Sequence, residues 1–312
     1  MPPLAERLEL AEVALRALGA SAELPAKIGV HPRQPGSLAH AMPALLRGSA
    51  ADGVADLIGV KWIVGFPENP AVGLPTYHAL VILNDARHGL PLAVMDAGTI
   101  TAQRTAAVSG AAIRLFARGR DGRAAAVALL GAGVQARGHL PVIGRLLPGA
   151  SVRITDVDRA RAEALALEAR STEGIGQAAV AADVRRAVDG ADVVVSIVSF
   201  GPEHQALDPR WLGSDTLFVA VDYDMQAPAA LAREALFVVD ERDQFLAARA
   251  GGGFVGYPEP AATLGGALRD GLPRPTGRVL VSHLGIGLAD VVFASAILKR
   301  AEQLGMGVLL PR

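Results

Sequence analysis

From about Gly119 onward, short apolar runs alternate with segments whose apolar positions recur at helical spacing. "AAAVALLG" predicts a buried strand and "VQARGHLPVIGRLL" a helix, with Pro141 inside it. "SVRITD" and "RARAEALALEA" repeat the pair, and "QAAVA" and "DVRRAVDG" repeat it in shorter form. "ADVVVSIVS" and "DTLFVAVDY" predict strands, "LAREA" a helix and "LFVVDE" a further strand. After "RVLVSHLG", residues 287–305 predict one closing helix. Continuous apolar strands alternating with helices imply a parallel sheet covered on both faces.

Residues 1–118 are patterned differently. A helix is predicted over Leu4–Leu18, then proline-rich loops around Pro25, Pro32 and Pro35. "GVADLIGVKWIVGF" predicts a strand. "HALVILNDARHGLPLAVMDAG" places two apolar runs around "NDARHG", which is the signature of an antiparallel hairpin. "TAQRTAAVSGAAIRLFA" has small and apolar residues at helical spacing, with Thr99 or Thr101 as the expected N-cap.

Composition narrows the function classes. The 312 residues are enough for two domains, and 51% hydrophobic content supports large cores. Thirty basic against 31 acidic residues give no basic excess of the kind nucleic-acid binders carry. With 4% aromatics, a base-stacking platform is not expected either. The absence of cysteine excludes disulfides, thiolate metal sites and a thiol nucleophile. None of the seven histidines shows metal-ligand spacing, and no metal is expected. The start reads as an amphipathic helix and is not expected to be a signal peptide, and no apolar run is long enough to span a membrane. A soluble, cytoplasmic protein is expected.

The glycines of "VALLGAGVQA" carry the first candidate chemistry. Gly131, Gly133 and Ala136 fit G-x-G-x-x-A between a predicted strand and a predicted helix. In a dinucleotide site the first glycine allows the tight turn and the second lets the backbone approach a pyrophosphate. The alanine lets helix and sheet pack closely. The helix start then offers free N–H groups to phosphate. A second strand ends in Asp156, about 25 residues after Gly131, where a carboxylate accepts bonds from ribose hydroxyls and repels a 2′-phosphate. NAD is therefore favoured over NADP, although Arg159 and Arg161 keep NADP open. The plain alternatives are a glycine turn without a ligand and an Asp156 that caps the next helix, a role for which Asp158 competes.

Outside this segment three cations stand out: Arg33 in "VHPRQPGS", Lys61 in "GVKWIVGF" and Arg104 in "TITAQRTAAVSG". Together they suit an anionic substrate group, since guanidinium grips carboxylate at two points and lysine adds a point charge. Each has a plain alternative, Lys61 on the solvent face of a strand and Arg104 as a surface charge at a helix start. Trp62 and Tyr223 are read as packing residues, and His139 as packing or surface. His283 is a candidate for cofactor contact.

The motifs "HPR…GS…AMPA", "GVKWIVGFPENPAVGLPT", "ITAQRTAAVSG", "GAGVQARGHL", "VVDERDQ" and "HLGIGLADVVFASAI" span nearly the whole chain. Together they resemble the ornithine cyclodeaminase and mu-crystallin family of NAD(P)-dependent enzymes. The resemblance implies a Rossmann-type doubly wound parallel sheet over residues 119–287. It also implies an α+β substrate-binding and dimerisation domain built from residues 1–118 and 288–312, with the active site between the two. It implies a homodimer and a small amino-acid or cyclic-imine substrate bearing a carboxylate. Arg33, Lys61 and Arg104 match the family's carboxylate ligands, and Thr76 a position near substrate. Thr105, Gly131, Gly133, Val134, Gln135, Ala136 and Asp156 match its cofactor contacts. Lys61 and an acid match its catalytic residues. That acid follows a strand in a motif matched here by "VAVDYDM", so Asp224 is the positional match. Asp222 stands where the family has glycine and is a second candidate. The implied activities are ornithine cyclodeamination to proline and ammonia, cyclic ketimine reduction or alanine dehydrogenation. Ligand binding without turnover is the alternative of another class.

Overall fold

The structure is a computed structural model describing residues 1–48, 55–118 and 122–309. The chain divides into two compact units, Met1–Arg104 with Ile286–Arg312, and Thr105–Gly285.

The first unit opens with helix α1 (Leu4–Ala17), followed by strands β1 (Ala22–Glu23), β2 (Ile28–Val30) and β3 (Leu38–Leu46). Strands β4 (Leu57–Gly65), β5 (Tyr77–Asn84) and β6 (Pro91–Asp96) complete an antiparallel sheet of order β1-β3-β4-β5-β6, with β2 also on β3. The predicted hairpin is the β5–β6 pair. Gly89 turns it with φ +74°, and Asn84 Nδ2 donates to the Gly89 carbonyl at 3.0 Å. Helix α2 (Gly98–Phe116) follows β6. It begins one residue before Thr99, so neither Thr99 nor Thr101 stands outside it as N-cap, and Asp96 Oδ1 accepts from the Gly98 amide instead. Pro25, Pro32 and Pro35 lie outside the strands, as expected, but the short strands β1 and β2 stand between these loops and the nine-residue β3, which the pattern does not predict, follows them. Pro43 and the small residues of "LAHAMPALL" weaken its strand propensity, and pairing along the whole of β4 overrides this.

The second unit alternates β7 (Ala126–Leu130), α3 (Val134–Leu146), β8 (Ala150–Thr155), α4 (Arg159–Arg170), β9 (Ile175–Val180), α5 (Val184–Val188) and β10 (Val193–Ser196). It continues with β11 (Leu217–Ala220), α6 (Ala229–Glu234), β12 (Leu236–Val239), α7 (Arg242–Ala250), β13 (Ala262–Thr263), α8 (Leu264–Asp270) and β14 (Val279–Ser282). All pairings are parallel, in the order β13-β12-β14-β11-β10-β7-β8-β9. The order reverses between β7 and β10, which makes their carboxyl ends the ligand crevice of an open α/β sheet. Strands β7, β10, β11 and β14 are buried on both faces, which explains their unbroken apolar runs. Helices α7 and α8 escape the sequence pattern because each is short and interrupted by polar or glycine residues.

Helix α9 (Gly287–Gln303) belongs to the first unit, where it packs on β3, β4, β5 and α1. No helix of the described residues is long and apolar enough to cross a membrane.

Candidate functional site

In the first unit, strand alternation decides the fate of Lys61. It stands on β4 between Met42 of β3 and Val81 of β5, on the same face as both, and that face is buried. Lys61 is 1% exposed, so it is not a solvent-face strand residue. Its Nζ lies 2.7 Å from Oδ2 of Asp290, a fully buried acid on α9. Arg104 Nε donates to the other oxygen of Asp290 at 3.0 Å, and Arg104 is also buried. Two cations on one carboxylate leave a net positive charge in a low-dielectric setting. Burial, reinforced by Arg104 and opposed by Asp290, lowers the Lys61 pKa to about 7. On β3, His40 is pushed down to about 4 by burial and then by Lys27, His31 and Lys61. Arg33 lies exposed in the β2–β3 loop and takes no part in the ion pairs of Asp290. Thr76 is half-buried just before β5, its carbonyl accepting from the Phe66 amide at 2.8 Å.

In the second unit, the glycine turn follows β7 directly. Gly131 has φ +100°, and a Cβ there would lie 2.5 Å from the Ile197 carbonyl oxygen just beyond β10. Gly133 is different, because a Cβ there meets nothing within 4 Å and the backbone faces open space. No side chain caps α3, which leaves the amides of its first turn for a ligand. Ala136 is fully buried where α3 meets the sheet, while Val134 is exposed and Gln135 half-buried. Asp156 accepts from the Ala132 amide at 2.7 Å and the Asp158 amide at 2.8 Å. It therefore ties the glycine turn to the end of β8, and Asp158 is the residue that caps α4.

Behind this turn runs a buried relay. His139 Nδ1 donates to the Gln135 carbonyl at 2.7 Å, which leaves its Nε2 as acceptor for the Ser109 hydroxyl at 2.8 Å. Ser109 Oγ in turn accepts from His283 Nε2 at 2.8 Å. The relay joins α2, α3 and the end of β14, and Thr105 is buried on α2 one turn earlier. Burial lowers the His139 pKa to about 4, so it stays neutral and its tautomer is set. His139 is thus a packing residue.

Two acids end β11. Asp222 is 2% exposed, and its Oδ2 accepts from Ser196 Oγ and from the Val198 amide at 3.1 Å. Its Oδ1 is buried without a hydrogen-bond partner, and desolvation, with a smaller contribution from Asp224, raises its pKa to about 6. Asp224 is 4% exposed, with Oδ1 on His204 Nδ1 at 2.9 Å and Oδ2 accepting from the Phe254 amide at 3.0 Å. Between them Tyr223 adopts φ +61° and stacks on Phe254, with ring centroids 5.8 Å apart.

The model of the ornithine cyclodeaminase/mu-crystallin family matches residues 4–303. The chain belongs to this family. Among its relatives, the nodulation efficiency protein NfeD of Rhizobium meliloti is 33% identical, over 99% of this chain and 94% of that protein. The alanine dehydrogenase of Archaeoglobus fulgidus is 29% identical, over 97% of this chain and 92% of its own. Among solved structures, an archaeal alanine dehydrogenase dimer with bound NAD has a TM-score of 0.82 at 25% identity, covering 99% of this chain and 95% of its own. As a member of the ornithine cyclodeaminase/mu-crystallin family, the chain has the mixed α/β architecture described above.

Asp290, His204 and Ser109 are the polar residues that sequence reading passed over. A signal existed for Asp290, a lone acid amid "GLADVVFASA", since an acid in so apolar a helix needs a buried partner. Nothing local marks His204 or Ser109.

Proposed function

We propose that this chain is an NAD-dependent enzyme that interconverts amino acids and imines, with a carboxylate-bearing substrate. The observation that carries the reading is the buried Lys61–Asp290–Arg104 cluster, whose uncompensated positive charge suits a substrate carboxylate. Lys61 and Arg104 are its substrate ligands, and Thr76 and the exposed Arg33 complete the family set.

The second unit fits a dinucleotide. The open space at Gly133, the forced turn at Gly131 and the uncapped start of α3 suit a pyrophosphate. Asp156 at the end of β8 favours NAD over NADP. Gly131, Gly133, Val134, Gln135, Ala136, Asp156 and Thr105 would hold the cofactor, which supplies the hydride acceptor or donor when bound. The protein's own task is to fix the substrate carboxylate and to handle the proton on its nitrogen. The relatives' printed activities support this, alanine dehydrogenase, ketimine reductase and lysine cyclodeaminase among them.

Ornithine cyclodeamination is the specific activity we assign first. Its second amine needs an acidic partner, and Asp222, whose Oδ1 carries no hydrogen bond, favours it. Ketimine reduction and alanine dehydrogenation use the same parts. The deciding experiment incubates the protein with NAD(H) and a panel of ornithine, lysine, alanine and cyclic ketimines, following nicotinamide absorbance and ammonia together. Ammonia without net NADH marks a cyclodeaminase, and net NADH change marks a dehydrogenase or reductase. NADH binding without turnover on any of them marks a ligand-binding protein and overturns the enzyme reading.

We also propose a homodimer formed through the antiparallel sheet. Its outer face presents Ile58, Trp62, Leu80 and Val94, each 39–55% exposed. Cross-strand pairing places Trp62 beside Leu80, so this face is continuous and apolar. Trp62 is therefore a surface residue of this sheet rather than core packing.

A further inference from the structure

Among the described residues, the non-glycine residues with positive φ are Gln205, Tyr223 and Phe254. They are far apart in sequence, yet all three meet at Asp224. Tyr223 precedes it, the Gln205 amide donates to its carbonyl at 2.7 Å, and the Phe254 amide donates to its Oδ2 at 3.0 Å. Left-handed backbone at bulky residues is strained and persists where the surroundings over-determine it. Here the strain converges on one carboxylate and on the imidazole that it holds.

That imidazole is His204. Its Nδ1 donates to Asp224 Oδ1 at 2.9 Å, which leaves Nε2 as the basic nitrogen. The side chain of His204 is 50% exposed, whereas that of Asp224 is 6% exposed. The next three residues are bound to the segment after Asp224, through Gln205–Asp224, Ala206–Met225 and Leu207–Gln226 backbone bonds. The Gln205 side chain is tied at both ends, Nε2 donating to the Val255 carbonyl and Oε1 accepting from the Ala229 amide, each at 2.8 Å. The imidazole is therefore held on a braced segment, half-exposed, with Nδ1 engaged by Asp224. Both oxygens of Asp224 are spent, which suits orienting a base better than exchanging a proton itself.

We propose that His204, oriented by Asp224, is the catalytic residue that exchanges a proton with the substrate nitrogen. This rests on the reading of the chain as an amine–imine enzyme. In the oxidative direction His204 Nε2 takes a proton from the substrate ammonium. The nitrogen lone pair then forms the C=N bond as hydride leaves Cα for oxidised NAD, giving an iminium. In the reductive direction the same proton returns to the new amine. The imidazolium formed in between is stabilised by Asp224 and can exchange with water. The other titratable groups here are Asp222 and Tyr257, which both interact with Asp224, and Glu203 beside His204.

The test compares wild type, His204→Ala and Asp224→Asn on whichever panel substrate the wild type turns over. His204→Ala should still bind NADH by fluorescence, lose roughly 100-fold or more in kcat, and recover part of it in added imidazole. Imidazole rescue and the pH profile are readouts that a packing role would not move. Asp224→Asn should also lose most of its kcat while still binding NADH, because the imidazole loses the partner that holds it. Turnover by His204→Ala within about threefold of wild type overturns the proposal and leaves the amine–imine reading standing. A loss that imidazole does not restore also counts against it. A wild type inactive on the whole panel overturns the amine–imine reading and this proposal with it.

Discussion

A lysine that is 1% exposed must share its charge or lose it, and Asp290 decides which. Asp290→Asn removes the carboxylate that two buried cations share. Stability should fall by about 3 kcal/mol, read from urea midpoints. The loss should be larger near pH 6 than near pH 9, because Lys61 must then give up a proton that the unfolded chain keeps. Asp222 works in the opposite sense. Its folded pKa is raised to about 6 from 3.8, so its stabilising contribution is present below about pH 4 and is lost as pH rises through 6. Asp222→Asn mimics the protonated form. It should be more stable than wild type by on the order of 3 kcal/mol at pH 8 and indistinguishable from it at pH 4, in melting curves of the cofactor-free protein. At this scale the sequence was partly legible. Lys61 and Arg104 announced themselves as cations among small and apolar residues. Their shared acid did not, because it lies 186 residues from Arg104 and no local pattern links them.

At the scale of elements, the glycine turn allows a sharper separation of fold from function. Gly131→Ala puts a Cβ 2.5 Å from the Ile197 carbonyl at φ +100°, so it should destabilise the second unit by at least about 2 kcal/mol and abolish NAD binding together with it. Gly133→Ala meets no neighbour within 4 Å, so the melting temperature should stay within a degree or so. NAD affinity should nevertheless fall about tenfold or more, by calorimetry, because the added methyl occupies the space a pyrophosphate needs. The βα alternation of this unit was readable because strands buried on both faces are continuous apolar runs and their helices are amphipathic. Strand β3 was hidden because its identity comes from nine residues of pairing with β4 and not from its own composition. The loop around His204 was hidden for a similar reason: its bracing bonds reach residues 224–229 and 255.

For the whole molecule, the apolar outer face of the antiparallel sheet bears on assembly. Trp62→Lys combined with Val94→Lys should convert a dimer to a monomer in light scattering at micromolar concentration, with the buried face of the sheet unaffected. Retention of the dimer would remove this face as the interface. The chain's order of assembly follows from α9. Residues 105–285 form one contiguous unit, whereas the first unit is split between residues 1–104 and 286–312. On the ribosome, the nascent second unit can therefore collapse as soon as it emerges, while Lys61 and Arg104 wait without a counter-ion until residue 290 has been synthesised. The early sheet is left half-finished, and the charge cluster is completed only when translation reaches the helix that carries Asp290.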